Sequence, residues 1–157
     1  MSWVREQFTF QDMQRLLFKL AEKVKAFQGL SPAEIGEVLA HAEKCTFEAG
    51  MIIVKEGSVG VHMYIIIDGE ASVSKKGRLG GIELARLGAT DSFGEMALAD
   101  NETRSATVTA ETPCVLVRLN DSIVNARPEI GGKIYRNISR VLSARLRSAD
   151  EALAWRL

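Results

Sequence analysis

Between Asp12 and Phe27 the apolar residues Met13, Leu16, Leu17, Leu20, Val24 and Phe27 recur at steps of three and four. That spacing predicts a helix with one apolar stripe, ended by Gly29. Ser31-Pro32-Ala33-Glu34 reads as the start of a second helix. Ser31 takes the N-cap, Pro32 the first helical position, and Glu34 completes a capping box. Ile35, Val38, Leu39 and Ala42 continue its apolar face.

After Cys45 the period changes. Nine of the thirteen glycines fall between Gly50 and Gly94 and punctuate short runs of strand-forming residues. These runs are Met51 to Val54, Met63 to Ile67, Ala71 to Ser74 and Glu83 to Leu87, followed by Thr107 to Thr109 and Val115 to Leu119. Short strands separated by glycine turns predict an antiparallel barrel or jelly roll. From Ile123 the helical period returns: Pro128 fits a helix start, and Ile134, Ile138, Val141, Leu142, Leu146, Ala149 and Leu153 form one stripe. The expectation is a single α+β domain over residues 1–157. N-terminal helices occupy 1–45, an antiparallel β jelly-roll barrel 46–121 and C-terminal helices 122–157, including one long helix.

Composition narrows the function classes. The chain has 157 residues and is 46% hydrophobic, with 20 Lys+Arg against 20 Asp+Glu. One domain is the expectation at that length, with no room for a separate DNA-binding or catalytic module. A zero formal charge supplies no bulk attraction for nucleic acid or an anionic membrane. The start Met1-Ser2-Trp3-Val4-Arg5-Glu6 lacks the basic-then-apolar order of a signal peptide, so a cytoplasmic location is expected. Cys45 and Cys114 stand far apart without metal-ligand spacing and read as reduced structural thiols. His41 and His62 belong to no ligand cluster, and no Ser or Cys nucleophile has an evident His partner. Neither a metal nor an enzymatic activity is expected. Trp3, Phe8 and Phe10 would either pack on the barrel or form a docking surface.

The segment Phe93-Gly94-Glu95-Met96-Ala97-Leu98-Ala99-Asp100-Asn101-Glu102-Thr103-Arg104-Ser105-Ala106-Thr107 carries the candidate chemistry. Gly94 allows close approach of backbone to a ligand. Glu95 to Ala99 is a plausible short helix whose free amides face its N-terminus. Arg104 supplies a planar, permanently charged donor fork suited to a phosphodiester, and Ser105 a hydroxyl donor. Glu95 only accepts, so it suits a sugar hydroxyl rather than a phosphate.

This segment resembles the phosphate-binding cassette (93–107) of the cyclic nucleotide-binding domain family, in which Phe-Gly-Glu, an Ala-Leu pair and an Arg-(Ser/Thr/Ala)-Ala ending recur. Glu56-Gly57-Ser58-Val59-Gly60 and Met63 to Glu70 are similar to that family's first barrel turn and central strand. The resemblance runs from about Phe27 to Leu119. It implies that Glu95 binds the ribose 2′-hydroxyl and Arg104 the cyclic phosphate. The amides of Gly94, Met96, Ala97 and Ala106 and the Ser105 hydroxyl would complete the cradle, with Phe93 beside them. Thr103 replaces the proline that many members carry before the arginine. Tyr64 and Ile66 would pack beneath the ligand or in the core.

The resemblance further implies cyclic AMP as ligand, preferred over cyclic GMP because the residue after Arg104 is serine. It implies a base cap from the C-terminal helix, for which Arg145, Ser148 and Ala149 are candidates. The expected function is a cyclic nucleotide receptor of the catabolite-activator and kinase-regulatory-subunit type, signalling through an unidentified effector protein as its C-terminal helix moves. Alternatives are a fragment of a cyclic-AMP-responsive transcription factor and a scaffold with a vestigial pocket. The stripe on the last helix also has the spacing of a homodimer seam. Its six basic residues, Lys133, Arg136, Arg140, Arg145, Arg147 and Arg156, read as a solvated face rather than a DNA-binding stripe.

Overall fold

The computed structural model describes residues 3–156, so Met1, Ser2 and Leu157 at the ends of the expected domain lie outside it. Two antiparallel sheets form the centre. One has the order β1-β2-β9-β4-β7, from Val4–Gln7, Glu43–Phe47, Cys114–Asn120, His62–Asp68 and Ser92–Phe93. The other has the order β3-β8-β5-β6, from Ile52–Val54, Thr107–Ala110, Ala71–Gly77 and Gly80–Leu87. The helices are α1 (Phe10–Lys23), α2 (Pro32–His41), α3 (Asp121–Asn125) and α4 (Pro128–Ala154). Antiparallel sheets flanked by N- and C-terminal helices make this an α+β jelly-roll fold.

Two apolar cores divide the work. Between the sheets, Phe47, Ile53, Tyr64, Ile66, Phe93, Val108 and Leu116 are buried. On the outer face of β4 and β9, Met63, Ile65, Val117 and Leu119 meet Phe27, Ile35, Leu39, Ile134 and Ile138 of the helical layer. The alternation along β4 therefore serves both cores: Tyr64 and Ile66 face inward, Met63 and Ile65 face the helices.

The predicted segment 1–45 is not purely helical. Val4–Gln7 forms an edge strand paired with β2, and Glu43–Phe47 bridges it to β9. Trp3 stacks on Phe47 with centroids 5.5 Å apart, and the Arg118 guanidinium lies 4.8 Å from the Trp3 ring. Phe8 is buried while Phe10 is exposed.

The predicted helix over 12–27 also stops early, at Lys23. Val24 is extended, and Lys25–Phe27 forms a 3-10 turn that buries Val24, Ala26 and Phe27. The cause is distant in sequence. The buried Asn137 amide of α4 donates to the carbonyls of Ala26 and Gln28, at 3.0 and 2.7 Å. Those carbonyls therefore need no further helical turn to satisfy them. The Ser31 capping box is present, and Lys133 of α4 reaches the same Glu34 at 3.0 Å. These contacts fix the first half of α4. Past Leu142 its stripe leaves the core, and Leu146 and Leu153 are exposed.

Candidate functional site

Arg104 is positioned by its own backbone before its side chain matters. Gly57 donates to the Arg104 carbonyl and the Arg104 amide donates to Ser58, each at 2.8 Å. The turn 57–60 thus clamps the residue from both sides. Its guanidinium lies across Gly60, where an added Cβ would come within 2.6 Å of Nε and Nη2. Nη2 donates to the His62 carbonyl at 2.7 Å, and Nη1 to the Gly94 carbonyl at 3.4 Å. No carboxylate pairs with it among the described residues. Burial pushes its pKa below the ordinary arginine value, yet guanidinium remains charged at any physiological pH. A half-buried cation held only by carbonyl oxygens is arranged to receive an anion.

Glu95 opens the 3-10 helix Glu95–Leu98, directly after Gly94 at φ +75°. That left-handed backbone suits glycine, and an added Cβ there would meet Arg104 Nη1 at 2.8 Å. The Glu95 side chain is only 2% exposed. The buried Ser92 hydroxyl donates to its Oε1 at 2.8 Å. Arg145 of α4 donates to its Oε2 at 3.0 Å and, through its second terminal nitrogen, to the Ser92 carbonyl at 3.0 Å. Burying a carboxylate demands such partners, since an unpaired one would be expelled or neutralised.

A cavity of about 540 Å³ joins these groups. Phe93, Gly94, Glu95, Met96, Ala97, Arg104, Ser105, Ala106 and Arg145 all line it. Ser148 does not; it lines a neighbouring cleft on the other side of Arg145. Besides Arg145, α4 contributes Leu142 and Leu146 to the lining, together with Val54, Val73 and Leu87 of the β3–β8–β5–β6 sheet. Sequence reasoning missed these, although Leu142 and Leu146 stand at i−3 and i+1 of Arg145. Ser92 and His62 were missed as well, the latter because only its carbonyl acts. Phe93 stacks on Tyr64 at 5.1 Å, closing the cavity floor onto the barrel core. The lining combines charged groups, Arg104, Arg145, Glu95, Asp100 and Glu102, with an apolar set, Val54, Val73, Leu87, Val108, Leu142 and Leu146. A compact ligand with a phosphate, a hydroxyl-bearing sugar and a flat base matches that combination.

Comparison with known proteins agrees with this geometry. Residues 44–126 match the family model of the cyclic nucleotide-binding domain. The chain belongs to the cyclic nucleotide-binding domain family. It is 33% identical over 123 residues to a cyclic nucleotide-gated potassium channel of Mesorhizobium japonicum, covering 76% of this chain and 33% of the channel. The Thermus thermophilus catabolite activator protein superposes with a TM-score of 0.77 at 29% identity, covering 83% of this chain and 62% of that one. The regulatory domain of a Toxoplasma gondii protein kinase A, crystallised with cAMP, gives a TM-score of 0.69 at 28% identity, over 76% and 46%. The chain thus spans about a third of the length of the channel and under two thirds of the other two. Among the described residues no helix is long and apolar enough to cross a membrane.

Proposed function

We propose that this chain is a cyclic nucleotide receptor, with cyclic AMP as its preferred ligand, and that it signals by moving α4 toward or away from an effector protein. One observation carries the reading: α4 reaches the cassette through Arg145, which occupies the Glu95 carboxylate that a ribose would need. In this mechanism Arg104 and the Ser105 hydroxyl take the cyclic phosphate, and the ribose hydroxyl donates to Glu95. The base lies between Val73 and Leu87 on one side and Leu142 and Leu146 on the other. A ribose at Glu95 takes an acceptor from Arg145, so the ligand alters how α4 is held. The size of the shift equals the ligand's differential affinity for the two α4 positions.

The protein acts in the cytoplasm by binding rather than catalysis. A homodimer through the outer part of α4 belongs to the same reading, supported by the exposed Leu153 and by Trp155 directly after the helix. Calorimetric titration with cyclic AMP and cyclic GMP tests it, with tighter binding of cyclic AMP expected. Absence of heat and of thermal stabilisation with both nucleotides would overturn it. The choice of nucleotide is supported by the names of two relatives, cAMP-dependent protein kinase regulatory subunits of Aspergillus fumigatus and Schizosaccharomyces pombe; two others are cGMP-dependent protein kinases, and the titration decides between the nucleotides.

A further inference from the structure

Behind Arg145 lies a second, larger cleft of about 780 Å³, between β6, the 3-10 turn at Lys25 and α4. Its charge is lopsided. Lys23, Lys25, Arg140 and Arg145 line it against one carboxylate, Asp91. Asp91 is already engaged, accepting from the Gly88 amide at 2.9 Å. Lys23, Lys25 and Arg140 are exposed and none pairs with a carboxylate among the described residues. On the same layer Arg127 pairs with Glu37 and Lys133 with Glu34. In a chain of zero net charge, three unpaired cations around one concavity are a local excess.

The cleft also has apolar walls. Leu84 is 56% exposed and sits opposite the half-buried Val141. Leu84 is the extra residue of a bulge, since Glu83 pairs with Ser74 and Ala85 with Val73. The bulge turns Leu84 out of the regular ladder and disturbs the strand edge beside it. The floor of the cleft is rigid, because the buried Asn137 ties α4 to the turn through its two carbonyl contacts.

We propose that this cleft is a docking site for an acidic segment of a partner protein, whose carboxylates meet Lys23, Lys25 and Arg140 and whose apolar side chain packs on Leu84 and Val141. A peptide fits better than nucleic acid. The cationic groups line a concavity with apolar walls, and the molecule as a whole gives a polyanion no long-range attraction. The site goes beyond nucleotide binding, but its regulation rests on the reading above. Arg145 lines both cavities. When a ribose takes Glu95, the Arg145 guanidinium becomes free to pair with an acidic side chain in the cleft. Nucleotide and acidic segment therefore favour each other, and the coupling is reciprocal.

The test uses a fluorescent peptide of glutamates and aspartates around a central leucine, and the same peptide with every acid replaced by its amide. Anisotropy should show the wild type binding the acidic peptide, more weakly at high salt, and not the amide version. The double variant Lys25→Glu, Arg140→Glu should lose about tenfold or more in peptide affinity, while its cyclic AMP titration stays unchanged. Equal binding of the amide peptide, or undiminished binding by the double variant, would overturn the site. So would a DNA duplex that binds the wild type and displaces the peptide. Saturating cyclic AMP should tighten peptide binding to the wild type and not to Arg145→Ala. If the peptide binds but no nucleotide gives heat, the receptor reading fails and the docking site stands; if nucleotide binds without changing peptide affinity, the coupling fails.

Discussion

Arg145, about two thirds of the way along α4, and Glu95, in the cassette fifty residues earlier, share a hydrogen-bonded ion pair of 3.0 Å whose carboxylate is 2% exposed and whose guanidinium is half-exposed. The contact joins the ligand cavity to the one helix that extends beyond the core. In the receptor reading proposed above, a sugar hydroxyl would compete with Arg145 for that carboxylate.

Replacing Arg145 by alanine leaves Glu95 with only the Ser92 hydroxyl. The protein should lose about 1.5 kcal/mol, the low end for a charged hydrogen bond because half of the guanidinium is solvated. Cyclic nucleotide should bind several-fold more tightly, since no ion pair is displaced. Thermal melts with calorimetric titration check both; weaker nucleotide binding would show that Arg145 serves the ligand directly.

Arg104→Ala removes the cation that would face the phosphate in the receptor reading. Loss of two charge-assisted hydrogen bonds predicts a fall in nucleotide affinity of about a hundredfold or more. Arg104→Lys restores the charge without the fork and should recover only part of it. Stability should change little, because the Arg104 backbone bonds to Gly57 and Ser58 persist in both variants. Titration calorimetry reads the affinities and circular dichroism the fold.

Gly60→Ala separates position from folding. The new methyl would stand 2.6 Å from Nε and Nη2 of Arg104, which must swing away from the His62 carbonyl. Nucleotide affinity should drop about tenfold, roughly one strong hydrogen bond's worth, with the melting temperature nearly unchanged. Gly57→Ala should behave in the reverse sense: at φ +80° the added Cβ strains the backbone, costing about 1 kcal/mol or more of stability.

The cassette stood out in the sequence because its candidate groups, Gly94, Glu95, Arg104 and Ser105, are near neighbours in the chain, and they line one cavity. Strands β3, β4, β5, β6, β8 and β9 were legible because each carries a short run of strand-forming residues, most of them set off by glycine turns. What escaped depends on residues far apart. The exposed Val4–Gln7 strand has no alternation to reveal it, and two-residue β7 is too short to show any. Val24 and Phe27 continue the α1 stripe on paper, but Asn137 ends that helix from more than a hundred residues away. Ser148, a base-cap candidate, lies outside the cassette cavity because of helical phase. Leu142 and Leu146 turn with Arg145 toward the cassette, whereas Ser148 falls on the side of the basic cleft.

Cys45 provides a prediction on pH. It is fully buried between Glu43 and Phe47 on β2, and burial pushes its thiol up to about 11, against an ordinary 9.0. The folded state therefore holds the proton more tightly than the unfolded state. Below pH 9 the thiol is neutral in both states and adds no pH dependence. As pH rises from 9 toward 11 the unfolded thiol ionises first, so stability falls over that window, approaching about 2 kcal/mol at its upper end. Chemical denaturation at pH 7 and pH 10.5 should show a smaller loss for Cys45→Ala than for the wild type. The same burial predicts that folded protein at pH 8 resists alkylation at Cys45, which mass spectrometry reads directly. Rapid modification of Cys45 at pH 8, without unfolding, would contradict a closed barrel core at that strand.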